Sequence, residues 1–259
     1  MYMYADGVPK SMEGGRSEND VSLWSFCRFR DCVECSVCGN RNGAEERKEN
    51  KMKVLMINGS PNENGCTNTA LEIIGKTLAE EQVDSEIFQI GRNCVKGCIG
   101  CGACSKEHRC IFDGGVVNEI LDKMENSDGL IIGSPVYFAS PSGTLVSALD
   151  RIFMAGDKFY LKPAAAIATA RRAGMTPTVD VVNRYFACVG MPTVPGNYYN
   201  MIFGRTPQEL LQDEEGVQTM RTLGRNMAWM LKCIEAGKNA GIDAPAAEKK
   251  IKMTFIRQA

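Results

Sequence analysis

The chain has 259 residues, 44% of them hydrophobic, and its thirty basic and thirty-one acidic side chains leave a formal net charge of −1. That length suits one large or two small cored domains, and the balanced charge offers no field to gather nucleic acid or an anionic membrane. No apolar run approaches the ~18–20 residues of a membrane span and no leader marks secretion, so the expected location is the cytoplasm, where twelve cysteines point to metal or redox chemistry in place of disulfides.

Residues 1–51 hold few aliphatics and end in the charged run Arg41 to Lys51, a composition that predicts a disordered or weakly structured extension. Its Cys27, Cys32, Cys35 and Cys38 are either incidental thiols or ligands of a second metal centre. The folded domain is expected over 52–259, and Met52 would itself serve as a start codon. Val54–Ile57 reads as the first buried strand, and Leu71, Ile74 and Leu78 as the inward face of the first helix. Between them, Gly59 to Thr69 gathers glycines and small hydroxyl residues at a strand-to-helix junction, which offers a phosphate free N–H groups and a helix N-terminus. The loop is neither a Walker loop nor a G-x-G-x-x-G fingerprint. It has no lysine, which argues against a nucleoside triphosphate and for a monophosphate such as that of FMN. As a helix start alone, it predicts Thr67 or Asn68 as the N-cap.

Ser85–Ile90 is the expected second strand. After it come Cys98, Cys101, Cys104 and Cys110 at spacings x2, x2 and x5. Three consecutive x2 thiols form the compact arrangement that wraps an iron–sulfur cube, whereas zinc sites usually split their thiols into two knuckles. Gly100 and Gly102 let the backbone curl so that the sulfurs converge, and Lys96, Lys106 and Arg109 could offset the cluster's negative charge. The alternatives are reduced thiols holding nothing, or zinc. Cys94 is a fifth thiol beyond the four needed. His108 is the sole histidine; among these cysteines it reads as tuning or shielding the centre, and no Ser-His-Asp or Cys-His machinery can use another.

Val117, Ile120, Leu121 and Met124 mark the next helix, followed by a third strand at Gly129–Gly133. The loop from Gly133 to Gly143 holds backbone amides between two prolines and presents Tyr137 and Phe138, which suit a flat isoalloxazine ring or else pack on the helix that follows, from about Gly143 to Met154. Ala164–Ala170 is the fourth strand. Arg171 and Arg172 after it could anchor flavin carbonyls or a nicotinamide cosubstrate's phosphate, or stand solvated. A helix over Thr178–Val189, a fifth strand over Asn197–Phe203 and a long helix from about Gly216 to Ala236 complete the chain. Met220, Leu223, Met227, Trp229 and Met230 on that last helix read as core or subunit interface. Five such units imply a parallel sheet covered on both faces, with ligands at the carboxyl ends of its strands.

Gly59-Ser-Pro-x4-Cys-Thr-x-Thr69, the four-cysteine motif, Gly133-Ser-Pro-Val-Tyr-Phe138 with Ser142-Gly143 and Asp150-Arg151, and Ala170-Arg-Arg-Ala-Gly174 together resemble the iron–sulfur flavoproteins and NADPH-dependent FMN reductases. The segment Leu211 to Trp229 is similar to the C-terminal part of one branch of NAD(P)H-dependent oxidoreductases, so the resemblance runs from about Met52 to the C-terminus. It implies a flavodoxin-like doubly wound α/β sandwich with a five-stranded parallel sheet and a cysteine-rich loop after strand two. It also implies bound FMN and a homodimer or homotetramer. The family's phosphate-loop roles fall on Ser60, Asn62, Thr67, Asn68 and Thr69, and its ring-contacting loop on Ser134, Pro135, Val136, Tyr137 and Phe138. The expected function is electron transfer between a reduced donor, NAD(P)H or ferredoxin, and an acceptor, through FMN and a 4Fe–4S cluster. The rival expectations are an NAD(P)H:flavin or quinone reductase without a cluster, and a non-enzymatic FMN-binding redox or metal sensor.

Overall fold

The computed structural model describes residues 51–92, 94–112, 115–248 and 251. The expected extension and its four cysteines therefore lie outside the described residues, apart from Lys51. In chain order the elements are β1 (Lys53–Asn58), α1 (Cys66–Glu80), β2 (Asp84–Gln89), α2 (Cys104–Glu107), α3 (Val116–Glu125), β3 (Gly129–Tyr137), β4 (Ser140–Pro141), α4 (Gly143–Ala155), β5 (Ala164–Ala170), α5 (Met175–Val189), β6 (Met201–Phe203), α6 (Pro207–Leu210) and α7 (Glu214–Asn239).

The strands form one sheet in the order β2-β1-β3-β5-β6, with β4 attached only to β3. All pairs on that path are parallel. With the β4 hairpin set aside this is the 2-1-3-4-5 order of the flavodoxin-like class, whose switch point lies between β1 and β3. The period of two along each strand divides the core. Val54, Met56, Ile131, Ala165 and Ile167 turn to one face with α1 and α7, and Leu55, Ile57, Leu130, Ile132 and Ala166 turn to the other with α3, α4 and α5. Both faces are dry, which is why these strands read as continuous apolar runs. No helix among the described residues is long and apolar enough to cross a membrane.

Several expectations need correction at this level. The helix start is not capped by Thr67 or Asn68: Gly65 takes the N-cap position with no side-chain hydrogen bond, because Thr67 already lies inside the first turn. The fifth strand is only three residues long. Asn200 accepts from Gly196 N–H at 2.8 Å through its side chain, closing residues 196–200 into a turn that the residues 197–200 would otherwise extend. Helix α5 begins at Met175, three residues before its expected start, with Thr178 donating its hydroxyl back to the Gly174 carbonyl. On α7 the core-or-interface reading divides: Met220, Leu223 and Met227 are core, while Trp229 is 66% exposed in the single chain and so is not core.

The short hairpin between β3 and β4 pairs Tyr137 with Ser140. Its two turn residues, Phe138 and Ala139, both have positive φ, 49° and 58°, as a type I′ connection requires. Neither is glycine, so each carries about 1–2 kcal/mol of left-handed strain. The hairpin rests on Gly174, whose own φ is +94° and where an added Cβ would stand 2.8 Å from both Ala139 Cα and Val136 Cγ1. Gly174→Ala is therefore expected to destabilise the fold by about 1–3 kcal/mol, read as a lowered thermal midpoint. An unchanged midpoint would show that the hairpin is free to shift.

Candidate functional site

Two constellations sit beside the carboxyl ends of β1, β2, β3 and β5. The first follows β1. Ser60 is buried, and its backbone is held from both sides: its N–H donates to Asn58 Oδ1 at 2.9 Å, and its carbonyl accepts from the Gln89 side-chain amide. Its hydroxyl oxygen accepts the Asn62 N–H at 3.1 Å, which leaves the hydroxyl hydrogen uncommitted among the described residues. The α1 terminus lies next along the chain. With Gly65 as an uncapped N-cap, the amides of Thr67 and Asn68 have no protein acceptor among the described residues, while the Cys66 N–H meets its own thiol and Thr69 N–H returns to Gly65 at 3.0 Å. Such N–H groups at the positive end of a helix dipole suit an anion. A further donor is orphaned beneath them: Asn58 Nδ2 is buried without a partner.

The side chains named for this loop do different things. Thr67 and Thr169 share a hydroxyl hydrogen bond of 2.9 Å, both buried, which ties the first turn of α1 to the end of β5. Thr69 donates to Gly65 O at 3.2 Å, and Asn68 reaches Glu72 at 2.7 Å along the exposed side of α1. Cys66 lies in the same turn, and burial pushes its thiol up, away from thiolate character.

The end of β3 and the hairpin that follows it are stitched to the first loop by Ser142, the N-cap of α4. Its hydroxyl donates to Gly59 O at 2.6 Å, and its N–H donates to Ser134 Oγ at 3.1 Å. Ser134 is thus fully buried and structural in its contacts. Beyond it Pro135 and Val136 are half-buried, Tyr137 is exposed, and Phe138 projects entirely into solvent at the hairpin tip. Arg171 and Arg172 are exposed after β5 and form no ion pair among the described residues. They share a loop with Gly174, on which the hairpin rests.

The second constellation is the cysteine loop. Gly100 and Gly102 both take left-handed φ, 66° and 71°, curling the chain as the spacing predicts. Cys98, Cys101, Cys104 and Cys110 line one cavity of about 320 Å³, floored by Met154 and Arg151 of α4. Burial pushes the Cys104 thiol up, and Cys101, Cys98 and Cys110 add to this by like-charge repulsion, so the four share one electrostatic neighbourhood. Among the described residues no three His, Cys, Asp or Glu side chains stand close enough to hold a single ion. Cys94 is exposed and does not line the cavity. Arg109 is engaged by Asp122 through both terminal nitrogens. His108 closes α2 in the left-handed region and pairs with Asp157 at 3.1 Å, away from the cavity lining.

Arg151 figures in the sequence only as part of the Asp150-Arg151 motif, with no role read for it, and the structure sets it against the cysteine loop. Arg151 is only 6% exposed, in the stripe of Ala148, Ile152 and Ala155 that faces the core. An arginine at an apolar position of an amphipathic helix is the signal that marks it.

Residues 52–205 match the family model described as NADPH-dependent FMN reductase. The chain belongs to the NADPH-dependent FMN reductase family. It is similar to an iron–sulfur flavoprotein of Methanocaldococcus jannaschii, 33% identical over 194 residues that cover 71% of this chain and 100% of that protein. It is also similar to an iron–sulfur flavoprotein of Methanosarcina thermophila, 27% identical over 197 residues, 73% of this chain and 100% of the relative. Among solved structures, RosB with bound 8-demethyl-8-formylriboflavin-5'-phosphate shares the fold at a TM-score of 0.58 and 14% identity, over 80% of this chain and 95% of that one. Membership of the FMN reductase family fits the first constellation: an uncapped helix terminus at the β1/β3 switch point is where the flavodoxin-like order seats FMN.

Proposed function

We propose that the chain is an FMN-dependent oxidoreductase that takes reducing equivalents from NAD(P)H or ferredoxin and hands single electrons to an acceptor through a 4Fe–4S cluster held by Cys98, Cys101, Cys104 and Cys110. The observation that carries this reading is the meeting of those four thiols around one cavity whose wall includes a buried guanidinium. The M. jannaschii and M. thermophila relatives are named iron–sulfur flavoproteins across their full lengths, which supports it. Bound FMN would supply the exchange between two-electron and one-electron chemistry. The protein's own part is placement. Ser60 and the α1 amides would bind the phosphate, with Asn62, Thr67, Asn68 and Thr69 shaping the loop. Ser134 to Phe138 would border the ring, and Arg171 and Arg172 stand where they could meet a flavin carbonyl or an incoming nucleotide phosphate. Exposed Ile99, Ile111, Phe112 and Met154 around the cysteine cavity favour a homodimer or homotetramer, and the free thiols favour the cytoplasm.

An anaerobic absorbance spectrum with iron and acid-labile sulfide assays, repeated after adding NADPH and then NADH, tests this. Flavin bands over a broad brown shoulder, both bleached by the donor, are expected. Iron-free protein that oxidises NAD(P)H rapidly would assign it as a flavin or quinone reductase, and flavin that no donor reduces would assign a sensor. The same spectra from a chain beginning at Met52 test whether 52–259 is the whole FMN-binding domain: lost flavin would refute that boundary.

A further inference from the structure

Arg151 poses a charge problem. Its guanidinium is buried, and among the described residues no carboxylate pairs with it. What it does touch belongs to the cysteine loop. Nε–H donates to Cys110 Sγ at 3.2 Å, Nη1–H to the Lys96 carbonyl at 3.4 Å, and Nη2–H to the Phe112 carbonyl. One side chain thus grips the backbone just before the first ligand thiol, the backbone just after the last, and the last thiol itself. Among the described residues its acceptors are all neutral, and a buried cation so placed is costly, so a nearby anion is the natural complement.

Resting on the cluster reading above, we infer that Arg151 is the positioning residue and buried counter-charge of the cysteine loop, donating to the Cys110 thiolate. It holds the fourth ligand in place and raises the potential of the cluster. The sign follows from electrostatics. Reduction adds one electron, and hence one negative charge, to an already anionic thiolate-ligated centre. A fixed cation and an N–H···S bond favour the more negative state, and both are levers by which proteins set such potentials.

The test is an anaerobic titration of purified protein with dithionite through redox mediators, on wild type, Arg151→Gln and Arg151→Lys, with iron, sulfide and FMN content measured on each. In an iron-replete Arg151→Gln protein the one-electron equilibrium constant should fall tenfold or more, which is about 60 mV, and Arg151→Lys should recover part of it. An unchanged potential overturns the inference. If Arg151→Gln retains FMN but no iron, Arg151→Lys should restore the iron, and its failure to do so overturns the inference equally. Loss of FMN from Arg151→Gln would mark Arg151 as an ordinary core residue and refute the assignment. Absence of iron and sulfide from wild type itself is the distinct result that removes the cluster reading.

Discussion

Cys101→Ala is expected to give a folded protein that keeps its FMN and loses its iron–sulfur centre. Cys101 is the middle thiol of the x2-x2 repeat, exposed on the loop between the two left-handed glycines, and its side chain packs no core. The substitution therefore costs the fold little, yet it leaves one iron without its thiolate, and a cube that depends on four cysteines is stripped or degraded. The phosphate loop follows β1, whereas this loop follows β2, so the flavin should stay. Cys94→Ala is the matched control, because that thiol lies outside the cavity. Anaerobic iron and sulfide content normalised to FMN decides the matter: full iron in the Cys101 variant would overturn the ligand assignment, and loss of iron from the Cys94 variant would move it.

Ser60→Ala should weaken FMN by ~10-fold or more, from losing one hydrogen bond to a charged group worth ~1.5–3 kcal/mol. The reason is specific to this loop. Its orphan amides come from the backbone and survive substitution, and Thr69 spends its hydroxyl on Gly65, so Ser60 holds the free hydroxyl nearest the β1 terminus. Riboflavin has no phosphate, and its affinity should change far less. Fluorescence titration of apoprotein with the two flavins separates the cases. Equal losses for both would show that the phosphate does not sit on this loop.

The parallel sheet was legible because strands buried on two faces leave long apolar runs, and helices α1, α3 and α7 show their stripes plainly. What escaped are features set by side chains acting on the backbone at short range. The β3–β4 hairpin carries Phe138-Ala139 where a type I′ turn favours Asn-Gly, so no turn signal announces it. Helices α2 and α6 are single turns without periodicity. The cap of α1 was misplaced because hydroxyl residues outrank glycine as caps, while here Thr67 is drawn to Thr169 across the sheet edge. The curl of the cysteine loop around one cavity was readable from its spacing and its two glycines. Its contact with Arg151 was not, because Arg109 and Lys106 lie beside the loop in sequence and Arg151 reaches it only through the fold.

Helix α4 gives the molecule a built-in ruler. Ser142 at its head is bonded to Gly59 just after β1 and to Ser134 within β3, and Arg151, nine residues further on, is bonded to the cysteine loop. At 1.5 Å of rise per residue those two anchor points are about 13–14 Å apart along one unbroken rod. The distance from the segment after β1 to the cysteine loop is thereby written in helical turns, and any kink in the rod would register at both ends together.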